Sequence, residues 1–152
     1  LAAAQIASLE LKRRRSRQIV ATAASTAAAT GATPIPFADA AILVPVQVGM
    51  LAGIAATFGL PVTRAFLTTL VTTAVGTSSA TFIGRTIVGG LLKLVPGAGS
   101  VAGGAINAAT ASALTLTLGE AFIAALSVTF RPGDQPPSQD EVEAAFRAKL
   151  KR

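Results

Sequence analysis

Long apolar runs, separated by short breaks that contain Pro and Gly, make up most of the chain. Residues 1–30 are rich in Ala and contain no Gly or Pro, which predicts helix because Ala has the highest helix propensity. Further helices are expected over 37–58, 63–94 and 100–130. The breaks that separate these helices contain Gly31, Pro36, Pro96, Gly97 and Gly99. The pattern therefore predicts an all-α fold of two linked helical hairpins broken at Pro/Gly turns.

The last part of the chain is predicted to be a short amphipathic helix. A Pro-rich linker is expected over 131–137, and Ser138 and Glu141 after it have the spacing of a helix-capping box. Apolar side chains then recur at helical spacing, at Val142, Phe146 and Leu150. We therefore expect three units, namely a hydrophobic helical domain, the linker and the terminal helix, over 1–130, 131–137 and 138–152.

Charged residues are scarce in the middle of the chain. The net charge is +6, but between residues 18 and 130 the only charged side chains are those of Asp39, Arg64, Arg85, Lys93 and Glu120. These are too few to cover an isolated helical bundle in water, so either lipid or further copies of the chain must cover its apolar surface. The runs that are long enough to cross a hydrocarbon core, at about 20 residues each, are 37–58, 65–84 and 99–119.

A basic run lies near the start of the chain, at Lys12, Arg13, Arg14, Arg15 and Arg17. Such a run fits an anionic lipid surface and, by the positive-inside rule, places the N-terminus in the cytoplasm, at a bacterial inner membrane or its equivalent. A solvated helix face is the plainer alternative. Nucleic acid is not expected as a partner, because the run has no interleaved aromatic residues.

The composition excludes most enzyme classes. The chain has no Cys and no His, which removes thiolate nucleophiles, Cys/His zinc sites and the Ser-His-Asp triad. The sequence over 97–102 matches a GxGxxA dinucleotide motif, but no parallel sheet is expected around it, so a break between helices is the favoured interpretation. There is no Walker loop. We expect no catalytic activity, no cofactor and no metal.

Three polar residues stand out within the apolar runs. Asp39 suits the first turn of a helix, where a carboxylate interacts favourably with the helix dipole. Gln47 and Asn107 are expected to form hydrogen bonds between helices, with the lining of an ion or solute path as the alternative. Gly49 and Gly53 form a GxxxG pattern, which allows helices to pack closely in lipid.

A series of short motifs follows a fixed order between residues 18 and 130, at 31–39, Gln47, Met50, 54–55, Gly59, 84–85, 92–99 and 104–108. In this order they resemble a bacterial family of uncharacterised domains that lie C-terminal to, or beside, small Era-like GTPase domains. The resemblance implies an all-helical, membrane-associating module that works with a GTPase. Because the GTPase part is missing and the chain starts with Leu1 rather than Met, either that domain was never present or the chain is a portion of a longer protein.

The sequence therefore predicts a non-enzymatic, membrane-associating helical module. We expect it to bind membrane lipids, to assemble with copies of itself and to anchor or scaffold a GTPase or another partner. An oligomeric membrane channel or solute-permeable pore is one alternative. A soluble oligomeric scaffold, with its apolar faces buried between subunits, is the other.

Overall fold

The computed structural model describes residues 2–32, 39–77, 98–131 and 135–151. Within these ranges the chain forms five helices and no strand, which confirms the predicted all-α fold. The helices are α1 (Ala2–Gly31), α2 (Asp39–Phe58), α3 (Arg64–Thr77), α4 (Ala98–Thr129) and α5 (Gln139–Leu150).

The end of α2 follows from one glycine. Gly59 has a φ of +72°, a left-handed conformation that glycine adopts without the steric cost of a Cβ. Its N–H donates to the carbonyl of Ala56, and the N–H of Leu60 donates to the carbonyl of Ala55. These two bonds form a Schellman motif, which satisfies carbonyls at the helix end and turns the chain towards α3.

The start of α5 has the predicted capping box. The backbone N–H of Glu141 donates to Ser138 Oγ at 3.2 Å, and the backbone N–H of Ser138 donates to Glu141 Oε2 at 2.9 Å. The hydrogen bond from the Ser138 N–H lowers the pKa of the Glu141 carboxyl below 4.5. Desolvation opposes this shift, and the guanidinium of Arg131, 3.8 Å away, adds a smaller lowering. Local sequence alone therefore determines where α5 begins.

Helix α1 lies antiparallel to both α2 and α4. Going along α1, Arg13 meets Ser127 and Val20 meets Gly119, so the partners on α4 run in the opposite direction. The contact of Ile19 with Gly53 shows that α1 also packs against α2. Helix α4 is the most extensive packing partner of α1, followed by α2, while α3 packs on α2 and α5.

The core lies between α1, α2 and α4 and continues under α5. Large side chains from several helices are fully buried there, among them Leu51, Ile54, Leu118, Phe122 and Phe146. Burial of each such side chain contributes about 1.5–3 kcal/mol. The rings of Phe122 and Phe146 meet edge to face, with centroids 5.9 Å apart, and this contact attaches α5 to α4.

Candidate functional site

Apart from Asp39 at the start of α2, the charges of the described residues collect at one end of the bundle. We call this region the charged end; it comprises residues 10–17 of α1, the start of α3 at Arg64, residues 120–131 and α5. Because α1 is antiparallel to α2 and α4, its N-terminal half lies beside the C-terminal ends of both other helices. The predicted basic run therefore lies where three helices end or begin, and each of its members has a different environment.

Lys12 joins the ends of α2 and α4. Its ammonium group donates to the carbonyl of Thr57 at 3.0 Å, which satisfies a carbonyl in the last turn of α2. The same ammonium lies 5.7 Å from the ring centroid of Phe130, at cation–π distance. Phe130 in turn packs edge to face on Phe58, with centroids 6.0 Å apart. Lys12 is thus a structural residue and is not available to an outside ligand.

Arg13 and Arg17 also bind within the protein. Arg13 Nε donates to Ser127 Oγ at 3.0 Å, and its guanidinium forms an ion pair with Glu10 at 3.1 Å. Arg17 Nε lies 3.6 Å from Glu120 Oε1. These pairs are exposed enough for solvent to screen them, so each contributes roughly 1 kcal/mol or less. The contacts of Arg13 with Ser127 and of Arg17 with Glu120 join α1 to α4, whereas the pair with Glu10 lies within α1.

Arg14 and Arg15 differ from their neighbours. Both side chains are exposed, and within the described part of the chain neither has a hydrogen bond or an ion pair. The basic run therefore divides into three cations that have partners within the protein and a pair that has none in the described part of the chain. The structure brings the five predicted residues together on one helix but leaves only Arg14 and Arg15 free to contact something outside it.

Ser16, in the middle of the basic run, was not among the predicted residues. Its side chain is fully buried, and its Oγ has no hydrogen-bond partner in the part of the chain that the structure describes. It begins the buried face of α1, which continues through Val20, Ala23 and Ala27. Ser16 shares this helical spacing, but Ala21 on the exposed face shows that the spacing of small residues does not by itself single Ser16 out.

The other half of the bundle has almost no charge. We call it the uncharged half; it comprises residues 18–32 of α1, 40–53 of α2 and 98–119 of α4. Asp39, the first residue of α2, lies at its margin, as expected for a first-turn carboxylate, but its side chain is outside the described residues. The part of α4 over 98–119 is helical and carries no charge. At 1.5 Å per residue it is about 33 Å long.

The exposed hydroxyl groups of the uncharged half bond back to their own helix. On α1, Thr22 donates to the carbonyl of Gln18, and Ser25, Thr26 and Thr30 repeat the pattern four residues apart. On α4, Thr117 donates to the carbonyl of Ala113. A hydroxyl that is bonded in this way presents little unsatisfied polarity to its surroundings. The outer surface is therefore less polar than its Ser and Thr content suggests.

One buried polar contact crosses the uncharged half. Gln47 is 1% exposed, and its Nε2 donates to Thr115 Oγ1 over a long 3.5 Å. The hydroxyl of Thr115 donates to the carbonyl of Ala111 at 2.8 Å. Thr115 was not predicted as a partner. Asn107 lies in α4, but its side chain is outside the described residues, so the expected amide-to-amide arrangement stays a prediction.

The predicted helix breaks fall largely outside the described residues, where Pro36, Pro96 and Gly97 lie. Gly99 lies in the first turn of α4, one residue after its start. The break is therefore complete before Gly99, which is part of the helix and not of the turn. Residues 114–118, which alternate between Leu and Thr as a strand would, are helical within α4.

The family model described as Domain of unknown function (DUF697) matches residues 2–151. The chain belongs to this family. No curated protein and no solved structure matches it. Membership confirms the resemblance to an uncharacterised domain family, while the expected association with an Era-like GTPase stays a prediction.

Among the described residues of this family member, one helix is long and apolar enough to cross a membrane. It covers Gly104–Thr129, its most apolar stretch has a mean hydropathy of 1.6, and 56% of that stretch is buried within the protein. Ile42–Phe58 is apolar but shorter, and α3 is described only as far as Thr77. Of the three runs that are long enough to span, one overlaps a candidate span among the described residues, while the run 65–84 extends beyond them.

Acidic side chains do not converge on a common point. In the described ranges there is no group of three or more Asp or Glu residues that could hold a metal ion. The acids are instead distributed over ion pairs with neighbouring arginines, as in Arg147 with Glu143 at 2.6 Å. The site therefore consists of an exposed basic pair, Arg14 and Arg15, beside an uncharged helical surface whose hydroxyl groups bond to their own helices.

Proposed function

We propose that the protein is a membrane-embedded helical module, with its uncharged half in the bilayer and its charged end at the cytoplasmic surface. The single observation that supports this is the distribution of charge along the bundle axis. No residue with an ionisable side chain occurs within 18–32, 40–53 and 98–119, whereas the charged end carries ion pairs and free cations. A charged group costs about 2.5–3.5 kcal/mol at the centre of a bilayer, so this separation suits a bilayer boundary.

The outer faces of the helices fit the same environment. On α4 the exposed residues of the uncharged half include Ile106, Ala109, Ala113 and Leu116. Their apolar surface would be unfavourable in water, and the back-bonded hydroxyls between them need no water as partner. The 33 Å length of the uncharged part of α4 is close to the hydrocarbon thickness of about 30 Å.

The orientation follows from the positive-inside rule. The charged end holds the basic run of α1, together with Arg64, Arg131 and the cations of α5. Cytoplasmic segments carry an excess of Lys and Arg, so this end is assigned to the cytoplasm. A GTPase partner, which the family resemblance suggests, would then meet the protein on this side.

Self-association is part of the proposal and is supported by the exposed face of α2. It carries only small or apolar residues, at Ile42, Pro45, Gly49, Ala52 and Ala56. No atom lies within 4 Å of the position that a Cβ on Gly49 would take, so the backbone is open to close approach there. Small residues on a lipid-facing helix let a second helix pack closely against it.

The experiment compares two exposed alanines of the 152-residue chain. The chain has no Cys, so Ala113→Cys in the uncharged half and Ala148→Cys in α5 each introduce a single thiol. In sealed inverted membranes, a membrane-impermeant maleimide should label A148C at once, and A113C only after denaturation in SDS. Both should resist carbonate extraction.

Equal labelling of the two cysteines in intact membranes contradicts embedding. Recovery of a defined oligomer in buffer without detergent points instead to the soluble scaffold. Self-association is tested separately with A52C on α2, which should form a disulfide-linked dimer on mild oxidation. The matched control is A21C on the exposed face of α1, and equal cross-linking of the two variants would contradict the α2 interface.

A further inference from the structure

We propose that Arg14 and Arg15 form a contact site for the phosphate groups of anionic phospholipids. The inference rests on the proposed membrane embedding and assigns a ligand class to two particular residues of it. Of the basic run, only these two side chains are exposed and without a partner in the part of the chain that the structure describes. The other three cations are held by groups of α2 and α4 or by Glu10.

The position of the pair along α1 matches the depth of lipid headgroups. Arg15 lies three residues before Gln18, where the uncharged half begins, which corresponds to about 4.5 Å along the helix. If the uncharged half occupies the hydrocarbon, both guanidinium groups can reach the phosphate layer on their flexible apolar stems. A cation placed deeper would be desolvated without a partner, and one much farther out would be screened by salt.

The chemistry of the two side chains favours phosphate as the ligand. A guanidinium group presents a planar fork of N–H donors that binds phosphate oxygens in pairs. Two adjacent arginines are separated by about 100° around the helix, so they can contact the headgroups of two neighbouring lipids. Single-stranded nucleic acid also carries phosphates, but a site for it combines cations with aromatic rings on which bases stack. The exposed neighbours on this face, Leu11, Gln18 and Ala21, are not aromatic.

The pair does not stabilise the fold through any contact that the structure describes. Removing its charge should therefore leave the helices intact and change only what lies outside them. This separates the proposed ligand role from the structural role of Lys12, Arg13 and Arg17.

The experiment compares R14Q/R15Q with the matched control K149Q/K151Q, since each double variant lowers the net charge of +6 by two. Wild type and both variants are reconstituted into phosphatidylcholine vesicles that contain a trace of spin-labelled phosphatidylglycerol or phosphatidylcholine. Electron paramagnetic resonance reports the fraction of each labelled lipid that is immobilised by the protein, and hence their relative association constant. Circular dichroism and carbonate extraction are measured on the same samples.

Wild type should prefer the anionic lipid. At low salt, R14Q/R15Q should lower the relative association constant of the anionic lipid roughly 5-fold for each arginine replaced. K149Q/K151Q should keep the preference, and all three proteins should stay helical and resist carbonate. An unchanged lipid preference in R14Q/R15Q overturns the proposal, as does an equal loss in the control. If R14Q/R15Q instead loses binding to an immobilised single-stranded oligonucleotide while its lipid preference is unchanged, the phosphate ligand belongs to nucleic acid. Release of wild type by carbonate overturns the proposed function itself and is distinguishable from all of these outcomes.

Discussion

Gly119 of α4 packs directly against Val20 of α1, and its replacement by Ala tests the packing of these two helices. A Cβ at this position would collide with both γ-methyl groups of Val20, one of them at 2.8 Å, and would lie 3.2 Å from the sulfur of Met50. Met50 can move because its side chain is flexible. Val20 cannot, because a β-branched side chain in a helix has essentially one χ1 rotamer. The two helices must therefore separate.

The expected cost follows from two opposing effects. Overpacking of a core costs about 1–3 kcal/mol, and the collision with both methyl groups places G119A near the upper limit. Replacing Gly by Ala inside a helix stabilises the helix by about 1 kcal/mol, because Ala has the higher helix propensity. We therefore expect G119A to lower the free energy of unfolding by about 2 kcal/mol.

The matched control is Gly49→Ala, at a site where nothing lies within 4 Å of the added methyl group. In dilute detergent, where no second copy packs on the exposed face of α2, G49A should raise stability by about 1 kcal/mol, because only the propensity effect remains. Both variants are unfolded with denaturant in a mild detergent, and helicity is followed by circular dichroism. The opposite signs expected for the two substitutions separate packing from propensity.

A double variant makes the test specific to Val20. Val20→Ala removes both colliding methyl groups, so V20A/G119A should be more stable than the sum of the two single changes predicts, by about 1–3 kcal/mol. If G119A is as stable as wild type, or if the coupling is zero, α1 and α4 do not pack as described.

Four further outcomes follow from contacts described above. Ser138→Ala should destabilise α5 by about 1 kcal/mol at neutral pH. Because the folded-state pKa of Glu141 is depressed, the stabilisation from its carboxylate is present above pH 4.5 and is lost as the pH falls through that lowered value, as amide exchange in α5 should show. Gln47→Leu should change the unfolding free energy by less than about 1 kcal/mol, since Thr115 keeps its bond to a backbone carbonyl. A much larger loss of stability would contradict this, because it would show that the long contact between Gln47 and Thr115 stabilises the fold. Phe146→Ala should cost about 3–5 kcal/mol and release α5, as limited proteolysis would reveal, whereas an unchanged digestion pattern would contradict its anchoring role.

Features with a local cause could be predicted from the sequence. The stop of α2 needs a residue that tolerates positive φ, and Gly59 provides it. The start of α5 needs only the reciprocal bonds between Ser138 and Glu141, which lie three residues apart. In both cases neighbours along the chain supply all the interactions.

Features that depend on the register between helices could not be predicted. Arg13 and Arg14 are adjacent in sequence, yet only the first faces α4, because the rotation of α1 is set by contacts such as Val20 with Gly119. The apolar periodicity that would reveal this rotation is weak in α1, since Ala occurs on its buried and its exposed faces alike. For the same reason Thr115 could not be recognised as the partner of Gln47: two helices far apart in sequence must first be aligned.

The one-sided distribution of charge also determines how permanently an inserted bundle keeps its orientation. To turn over in the bilayer, the protein would have to carry Lys12 and the four arginines of the run through hydrocarbon, at about 3 kcal/mol each, or on the order of 15 kcal/mol in total. The other ionisable side chains of the charged end would have to cross with them at a similar cost each, and only this larger sum puts the barrier beyond thermal crossing. A bundle of this kind would be committed at the moment of insertion, and every copy in the membrane would present the same face to the same compartment.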